Sequence, residues 1–376
     1  MRKIKVLMLG WEYPPYVTGG LGTHCYYLTK ALAKLPVKIY FITPHPIHKR
    51  RGNLEIIGLD ISQRFKEDGK ILSYGKRDNF YKKVELYKKE AVDVIQKLDF
   101  DIIHSQDWMP IETAILIKNL SGKPLIQTMH STEFDKCRHP RKRFIELDKK
   151  GMKAAEKVIA VSNYTKKILI DKFGIESRKI AVIYNAIEQR KAPAKKKEAT
   201  VRHILYLGRL KYQKGIPFLI DAADIVLKKE RDVRFIIAGK GKKEYEAKLK
   251  IKVHKLGHAD KIIFKGYVKD KDYYYKKANL FVMPSLSEPF GITPLESIGN
   301  GTPVLISKQS GIAEVLKSCL KFDYGNKEDF ARKMLFLLRN KRAYERLRTK
   351  GLEEIRSFTW ESIAKETRDV YAKFIS

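Results

Sequence analysis

The chain has 376 residues, of which 44% are hydrophobic and 32% are charged. A chain of this length and composition forms roughly two to three domains with a large core, which excludes a mainly disordered protein. Its 77 lysines and arginines exceed its 43 acidic residues, giving a formal net charge of +34. We therefore expect attraction to polyanions such as nucleotide phosphates, nucleic acid or anionic lipid headgroups.

The cysteines and the N-terminal segment indicate the cellular compartment in which the protein is expected. Cys25, Cys137 and Cys319 are too few and too scattered for a disulfide framework or a CxxC metal site. The apolar run at residues 6–9 is too short for a signal peptide, and nothing approaches the roughly 18 apolar residues of a membrane-spanning helix. We expect a cytoplasmic protein and leave attachment to a membrane surface open.

Short apolar runs alternate with longer amphipathic segments. The runs lack strict polar alternation and predict strands covered on both faces, so the fold class is α/β with parallel sheets and right-handed crossovers. Predicted strands cover residues 6–9, 37–42, 102–104, 125–129, 158–161 and 180–184, then 203–207, 233–238, 261–264, 280–283 and 304–306. Apolar residues at helical spacing predict helices over residues 80–98 and after Ser357.

The domain boundary is placed at residues 189–200, which carry two basic clusters and no large apolar residue. This gives a first domain over residues 1–188 and a second over residues 201–356. A C-terminal helix occupies residues 357–376, and its return to the first domain is left open.

Glycines and cations follow several predicted strands. Gly19 and Gly20 precede a helix predicted to begin near His24, where free backbone N–H groups suit a phosphate, although such a turn is as often only a tight connection. Arg209 and Lys214 follow the strand at 203–207, where they would suit a diphosphate, the alternative being a solvated basic loop. Gly239 ends another strand at the same edge.

Residues 284–297 hold two acids, Glu288 and Glu296. Thr293-Pro294-Leu295-Glu296 matches a capping box, so Glu296 has a purely structural interpretation. Glu288 has no helix to cap and is placed to accept sugar or ribose hydroxyls.

Histidines and paired aspartates are further candidates for a binding or metal site. His130 follows the strand at 125–129, and a structural role is the commoner one for such a histidine. His45 and His48 lack a third zinc ligand nearby. The pairs Asp99/Asp101 and Asp270/Asp272 do not follow strands, so we expect no metal.

Together these segments resemble the retaining, nucleotide-sugar-dependent glycosyltransferases of family 4 and their glycogen and starch synthase relatives. The resemblance covers nearly the whole chain. The segments that carry it are Gly19-Gly20-Leu21, Asp101-Ile102-Ile103-His104 with Asp107-Trp108, Thr128-Met129-His130, Val161-Ser162, Val182-Ile183-Tyr184-Asn185, Gly208-Arg209 with Lys214-Gly215, Glu288-Pro289-Phe290-Gly291 with Glu296, and Phe358-Thr359-Trp360.

The resemblance implies the GT-B fold, in which two Rossmann-like domains face each other across a deep cleft. It also implies roles. Arg209 and Lys214 would bind the donor diphosphate, Glu296 the ribose, and Glu288 the transferred sugar. Phe290, Gly291 and Ile292 would offer backbone N–H groups, Gly20 would face the phosphates, and His130 would contact the sugar. No cofactor or metal is expected.

One position departs from the glycogen and starch synthases, which carry a lysine where this chain has Val17. This favours the broader family over a glucan synthase, while His104-Ser105-Gln106-Asp107-Trp108 favours the synthases. The expected partners are a nucleotide-sugar donor and a saccharide or lipid-linked acceptor. Basic residues of the first domain, including Lys82, Lys83, Lys88, Lys89 and Arg138–Arg143, would hold it on anionic membrane or merely keep it dissolved.

Two rival functions are compatible with parts of the sequence. The net charge allows a nucleic-acid-binding protein, but no recognition motif is present and specific binding is not expected. A sugar-nucleotide epimerase would share the fold. Glu288-Pro289-Phe290-Gly291 with Glu296 favours transfer.

Overall fold

The computed structural model describes residues 2–17, 19–61, 77–136, 138–189, 193 and 200–375. The chain divides into two compact units. The first comprises Met1–Phe134, His139–Asn185 and Trp360–Ser376, and the second comprises Asp135–Arg138 and Ala186–Thr359. Of the predicted linker, residues 190–192 and 194–199 lie outside the described residues, as does Cys137.

The first unit is a largely parallel sheet with helices between most of its strands. Its strands are β1 (Ile4–Leu9), β2 (Val37–Thr43), β3 (Lys49–Arg51), β4 (Leu54–Gly58), β5 (Ile102–Gln106), β6 (Leu125–Met129), β7 (Lys157–Ala160) and β8 (Ile180–Val182). Among the described residues before the second unit, the helices are α1 (Gly20–Leu32), α2 (Arg77–Ile95), α3 (Ile111–Ser121), α4 (Glu133–Lys136), α5 (Lys142–Ala154) and α6 (Asn163–Phe173). The short helix α4 is shared, because its residues from Asp135 onward are assigned to the second unit. A 3-10 turn covers Ser177–Lys179.

Within the described residues these strands form one sheet in the order β3-β4-β2-β1-β5-β6-β7-β8. The pairing of β3 with β4 is antiparallel, and the other pairings are parallel. The order reverses between β1 and β5, so the loops that follow these strands diverge to opposite sides of the sheet.

The second unit repeats this architecture. Its strands are β9 (Arg202–Leu207), β10 (Val233–Ala238), β11 (Ile262–Gly266), β12 (Leu280–Met283), β13 (Val304–Ser307) and β14 (Leu320–Phe322). Its helices are α7 (Ile216–Lys229), α8 (Lys243–Lys255), α9 (Lys271–Lys277), α10 (Thr293–Gly299), α11 (Ile312–Val315), α12 (Lys327–Arg339) and α13 (Lys341–Glu354), with 3-10 turns at Tyr212–Lys214 and Ile355–Ser357.

The described strands of this unit are all parallel, in the order β11-β10-β9-β12-β13-β14. This is the Rossmann strand order, and its reversal lies between β9 and β12. The predicted α/β class with two Rossmann-like sheets is confirmed.

Each predicted strand coincides with an observed one to within two residues at either end, because continuous apolar runs mark strands buried on both faces. The short strands β3, β4 and β14 were not predicted. Helix α1 begins at Gly20, one turn before the predicted start near His24. The prediction that Lys83 belongs to a basic surface of the first domain is wrong, because Lys83 is 1% exposed and lies in the interior.

The C-terminal helix α14 (Trp360–Ala372) belongs to the first unit. It packs on α1 through Trp360, whose ring stacks on Tyr27 at a centroid distance of 5.7 Å and meets His24 edge-on at 5.4 Å. At the surface, Lys34 donates to the carboxylate of Glu361 at 2.7 Å. The predicted apolar face is buried along the helix, and Tyr371 is fully enclosed.

Three buried histidines make the first unit sensitive to acid. Burial lowers the pKa of His24 and of His45 to about 4 and the pKa of His104 to about 3. In the unfolded chain a histidine takes up its proton near pH 6.5, so these side chains stabilise the fold fully above that pH. Their contribution is lost as the pH falls toward their folded pKa values.

We expect each of these histidines to cost about 1.4 kcal/mol of unfolding free energy per pH unit below about pH 6.5. Guanidinium unfolding at about pH 7 and about pH 4.5 measures the loss. In His45→Asn the stability should fall less steeply with acidity than in the wild type. The matched control is His254→Asn, which replaces an exposed histidine and should keep the wild-type slope; equal slopes in all three proteins would contradict the assignment.

Candidate active site

The two central strands of the second sheet, β9 and β12, end side by side at the reversal of strand order. In open α/β sheets, ligands bind in the crevice outside the carboxyl ends of the strands at this point. The loop after β9 contains Arg209 and Lys214, and the loop after β12 contains Glu288. The fold therefore brings three of the predicted site residues to one edge of the sheet.

An ion pair joins the two loops. The ammonium of Lys214 donates to the carboxylate of Glu288, and the two side chains are only 19% and 14% exposed. The Ser285 hydroxyl donates to the same carboxylate oxygen of Glu288 at 3.4 Å. A cation and an acid thus share the mouth of the crevice, where a cation can meet a phosphate and an acid can accept from hydroxyl groups.

The backbone holds these charges at this spacing. Lys214 closes the 3-10 turn Tyr212–Lys214, and the N–H of Leu286 donates to the carbonyl of Gln213 at 2.8 Å. Gly215 follows at φ +67°, and a Cβ on this residue would lie 1.8 Å from the carbonyl oxygen of Pro284. Only glycine permits both this φ and this approach without strain.

Tyr206 links the buried strand β9 to the loop that carries Arg209. Its hydroxyl donates to the carbonyl of Arg209 at 2.9 Å. Burial raises the pKa of the Tyr206 phenol, the Glu288 carboxylate raises it further, and the Arg209 guanidinium opposes the increase. The charges of Arg209 and Glu288 therefore both act on this one hydroxyl. The Arg209 side chain is exposed, and none of the described residues forms an ion pair with it.

The predicted segment 290–292 connects Glu288 to helix α10. The carbonyl of Phe290 accepts from the N–H of Ile312 at 2.8 Å, and the Phe290 side chain is 2% exposed, so Phe290 also anchors the loop in the core. Gly291 adopts φ +98°. Within the described residues no atom accepts a hydrogen bond from the N–H of Gly291 or Ile292, which leaves both groups available to a ligand.

The capping-box interpretation of Glu296 is wrong. Helix α10 has Ile292 at its N-cap, with no capping side chain. The Glu296 carboxylate instead accepts from the Tyr275 hydroxyl at 2.8 Å and from the Lys271 ammonium at 2.6 Å. Tyr275 and Lys271 both lie on α9, and sequence reasoning missed them because their contacts with Glu296 span 21 and 25 residues. The carboxylate is thus held in place by a neighbouring helix.

Gly239 has a packing explanation. It adopts φ +139°, and a Cβ there would lie 1.8 Å from the carbonyl oxygen of Gly208. Its N–H donates to the carbonyl of Gly266 at 2.6 Å. The loops after β9, β10 and β11 therefore meet at Gly239, and its role toward a ligand stays a prediction.

In the first unit, Gly19 is the extended N-cap of α1 and Gly20 its first residue. The buried carboxylate of Glu12 already accepts from the Gly22 N–H at 3.3 Å, so one N–H of the first turn is occupied. Val17 packs against Gly22. A Cβ added to Gly22 would lie 2.8 Å from the two methyl carbons of Val17. The residue that stands in place of the synthase lysine therefore serves packing.

His130 lies beside this first turn. Its ring meets the ring of His24 edge-on at a centroid distance of 4.4 Å, and its Nε2 lies 2.9 Å from Oε1 of Gln106. His24 is itself held by Asn185, whose Oδ1 lies 2.6 Å from Nδ1. The first unit thus brings His130 and the start of α1 together, and their contact with a ligand stays a prediction.

The aspartate pairs have structural partners. Asp99 pairs with Lys5, and Asp101 accepts from Arg2 and from the Lys5 N–H. Asp270 caps α9 by accepting from the Tyr273 N–H at 3.0 Å. Among the described residues no three His, Cys, Asp or Glu side chains converge as metal ligands. Independence from metal stays a prediction.

Two family models match the chain. Residues 18–191 match "Glycosyltransferase Family 4", and residues 187–354 match "Glycosyl transferases group 1". Together they span nearly the whole chain. The chain is therefore a glycosyltransferase, with a family 4 match over its first half and a group 1 match over its second half. These matches favour the transferase prediction over an epimerase or a nucleic-acid-binding protein.

Curated relatives align with the glycosyltransferase along almost its full length. An uncharacterized glycosyltransferase of Methanocaldococcus jannaschii is 28% identical over 98% of this chain and 98% of its own. The glycogen synthase of Mycobacterium tuberculosis is 24% identical over 98% of this chain and 94% of its own.

Solved structures confirm the GT-B fold. Sucrose-phosphate synthase from Thermosynechococcus elongatus superposes with a TM-score of 0.82 at 19% identity, over 98% of each chain. Anabaena HepE in complex with UDP-glucose gives a TM-score of 0.75 at 15% identity, over 98% of this chain and all of the other. At these identities the likeness concerns the fold alone.

The Gly215 turn provides a test of how the glycosyltransferase holds its crevice. We expect Gly215→Ala to displace the turn that carries Lys214, because an alanine at positive φ is strained by roughly 1–2 kcal/mol and its Cβ would overlap the Pro284 carbonyl. Donor affinity, measured by calorimetry, should fall at least about tenfold, the equivalent of about 1.4 kcal/mol.

The matched control is Gly257→Ala. Gly257 has a similar φ of +72°, but nothing lies within 4 Å of its missing Cβ. This variant carries the backbone strain without the collision and should bind donor as the wild type does. Unchanged donor affinity in a folded Gly215→Ala protein would show that the turn does not organise the site.

Proposed function

We propose that this glycosyltransferase moves a hexosyl group from a nucleotide-diphosphate sugar to a hydroxyl acceptor, with retention of anomeric configuration. The acceptor is a saccharide, a glucan or a lipid-linked sugar. The observation that carries the proposal is the pairing of Lys214 with Glu288 at the point of strand reversal, where the charges of Glu288 and Arg209 both act on Tyr206.

The proposed reaction breaks the bond from the anomeric carbon to the donor diphosphate and forms a bond from that carbon to the acceptor oxygen. The acceptor proton passes to the departing phosphate oxygen. The transition state has oxocarbenium character on the sugar and growing negative charge on the diphosphate. Fixed cations aimed at that growing charge lower the barrier most, and Arg209 and Lys214 supply them.

The remaining residues bind and orient the donor. Glu296, held by Tyr275 and Lys271, accepts from the ribose hydroxyls. Glu288 accepts from hydroxyls of the transferred sugar, and the N–H groups of Phe290, Gly291 and Ile292 lie nearby in sequence. In the first unit, His130 contacts the sugar, and Gly19 and Gly20 face the phosphates. Retention without a second nucleophile implies displacement on the front face of the sugar.

Lys214 is the most direct test of this mechanism. We expect Lys214→Ala to lower turnover at saturating donor by about 10²–10³-fold, the effect of removing one preorganised donor from a developing anion. Turnover is measured as nucleotide release that depends on the acceptor.

The matched control is Lys333→Ala. Lys333 is 24% exposed and donates to Asp329 at 2.6 Å on helix α12, so its removal breaks a similarly buried pair outside the crevice. It should leave turnover close to the wild-type value. Wild-type turnover in Lys214→Ala would reject the role of Lys214.

A donor panel identifies the substrate class. We expect at least one of the UDP-, ADP- and GDP-sugars to raise the melting temperature, since a ligand that binds only the folded state stabilises it. The same rise should occur with EDTA present. Complete loss of the shift in EDTA would show that a metal is required, and a panel without any shift would contradict the proposed donor class. Proton NMR of the product then reads the anomeric configuration.

Glucan elongation is the second candidate. It is favoured by the alignment with a glycogen synthase, whereas Val17 stands where the synthases carry a lysine. The two candidates differ in their acceptor. Successive additions to a glucan primer would support elongation, and a single addition to a small saccharide or lipid-linked sugar would support the broader family.

We propose peripheral attachment to anionic membrane as a use of the basic charge in the first unit. The Lys142 side chain is 91% exposed at the start of α5, and the neighbouring Arg143 lies over the ring of Tyr81 at 3.8 Å. Lys82 and Lys89 are also exposed. Among the described residues no helix is both long and apolar enough to cross a bilayer.

Flotation with phosphatidylserine vesicles tests this attachment. We expect binding at low salt and release at high salt, because surface charges are screened. Lys142→Glu/Arg143→Glu should float less than Arg346→Glu/Lys350→Glu, which changes the charge equally at exposed positions of the second unit. Absence of binding at low salt would exclude the proposal.

A further inference from the structure

A buried polar chain leads to His130 inside the first unit. His104 and Gln106 lie two residues apart on β5 and point to the same face of the sheet. Thr128 stands opposite Gln106 on β6, and His130 follows the end of that strand. His104, Gln106 and Thr128 are each at most 1% exposed, so their polar atoms must be satisfied by one another and by nearby groups.

The contacts form a continuous series. Oε1 of Gln106 lies 2.9 Å from Nε2 of His130, and Nε2 of Gln106 lies 3.1 Å from Nε2 of His104. Thr128 Oγ1 lies 2.7 Å from the same nitrogen of His104. On the other side of the His104 ring, Nδ1 lies 2.5 Å from the hydroxyl of Tyr371 on helix α14.

These contacts determine where the protons lie. A carboxamide oxygen only accepts, so Nε2 of His130 must carry a proton and donate to Gln106. A carboxamide nitrogen only donates, so Nε2 of His104 must be the acceptor, and its ring proton lies on Nδ1, facing Tyr371. Burial lowers the pKa of His104 to about 3 and raises the pKa of Tyr371, so both stay neutral and the arrangement persists at physiological pH.

We propose that Gln106 and His104 are positioning residues that, anchored by Tyr371, hold His130 as its Nε2–H tautomer. In this tautomer the Nδ1 atom of His130 carries the lone pair, which is the kind of acceptor that a hydroxyl of the transferred sugar requires. The effect of this His130 tautomer on turnover rests on the proposed function, in which His130 contacts the transferred sugar. The tautomer itself does not depend on that function.

The decisive measurement is NMR of the full chain with ¹⁵N-labelled histidine. A protonated ring nitrogen resonates well upfield of an unprotonated one, and the His130 signals are assigned by their loss in His130→Gln. In the wild type we expect His130 with a protonated Nε2 and His104 with a protonated Nδ1. The opposite tautomer for His130 would overturn the proposal.

Variants separate this positioning role from a general role in folding. Gln106→Leu removes the acceptor and should give averaged His130 nitrogen signals. Gln106→Glu keeps an oxygen toward His130 but replaces the amide donor that faces His104. It should therefore preserve Nε2–H on His130 and move the proton of His104 from Nδ1 to Nε2. An unchanged His130 spectrum in folded Gln106→Leu would overturn the proposal.

Tyr371→Phe is the milder variant, in case Gln106→Leu does not fold. It removes the hydroxyl that faces His104 and should shift the His104 signals. The matched control is Tyr87→Phe, which removes another fully buried hydroxyl of the first unit, one that donates to the Ile42 carbonyl at 3.2 Å. It should leave the His104 and His130 spectra unchanged. Equal spectral changes in the two variants would overturn the proposal.

Kinetics distinguish failure of this inference from failure of the proposed function. We expect Gln106→Leu to lower kcat about tenfold with little change in KM for the donor, the effect of one misplaced hydrogen bond. A fixed tautomer without any transferase activity in the wild type would support the polar chain and reject the function. Full activity in Gln106→Leu with unchanged His130 signals would reject the polar chain and leave the function intact.

Discussion

The close approach of two loops at the centre of the second sheet is the constraint on which the candidate site depends. Gly215 lies against the carbonyl of Pro284, and the preceding residue, Lys214, forms an ion pair with Glu288 in the opposing loop. A larger residue at 215 would separate the loops, and the cation and the acid would then no longer share one crevice. The geometry of the charges is therefore decided by backbone packing.

On the proposed function, the Lys214–Glu288 pair serves donor binding more than stability. Both side chains are largely removed from water, and the cost of desolvating two charges offsets much of their attraction. Such a pair contributes little to the free energy of unfolding, but it holds a cation and a hydrogen-bond acceptor at a defined position. A bound diphosphate and sugar can take over both interactions without any further desolvation of the side chains.

Much of the fold and part of the site could be predicted because the signals are local. Apolar runs mark the central strands, and Arg209 and Lys214 follow β9 in the sequence just as Glu288 follows β12. The capping box at Thr293–Glu296 is a local pattern that suggested a structural role for Glu296, whereas its actual partners, Tyr275 and Lys271, lie on another helix. The link from His104 to Tyr371 spans 267 residues, and no local pattern could reveal it.

The place of α14 in the first unit has a consequence for the order of assembly. The second unit is almost continuous in sequence, from Ala186 to Thr359, whereas the first needs Trp360 and Tyr371 to cover α1 and His104. During synthesis, N-terminal domains usually complete their folding before C-terminal ones. Here the first unit can complete its folding only after the second unit has been synthesised, so the order is reversed. The earlier-synthesised unit keeps an uncovered apolar face until translation has passed residue 371, and it is the one exposed to aggregation in the meantime.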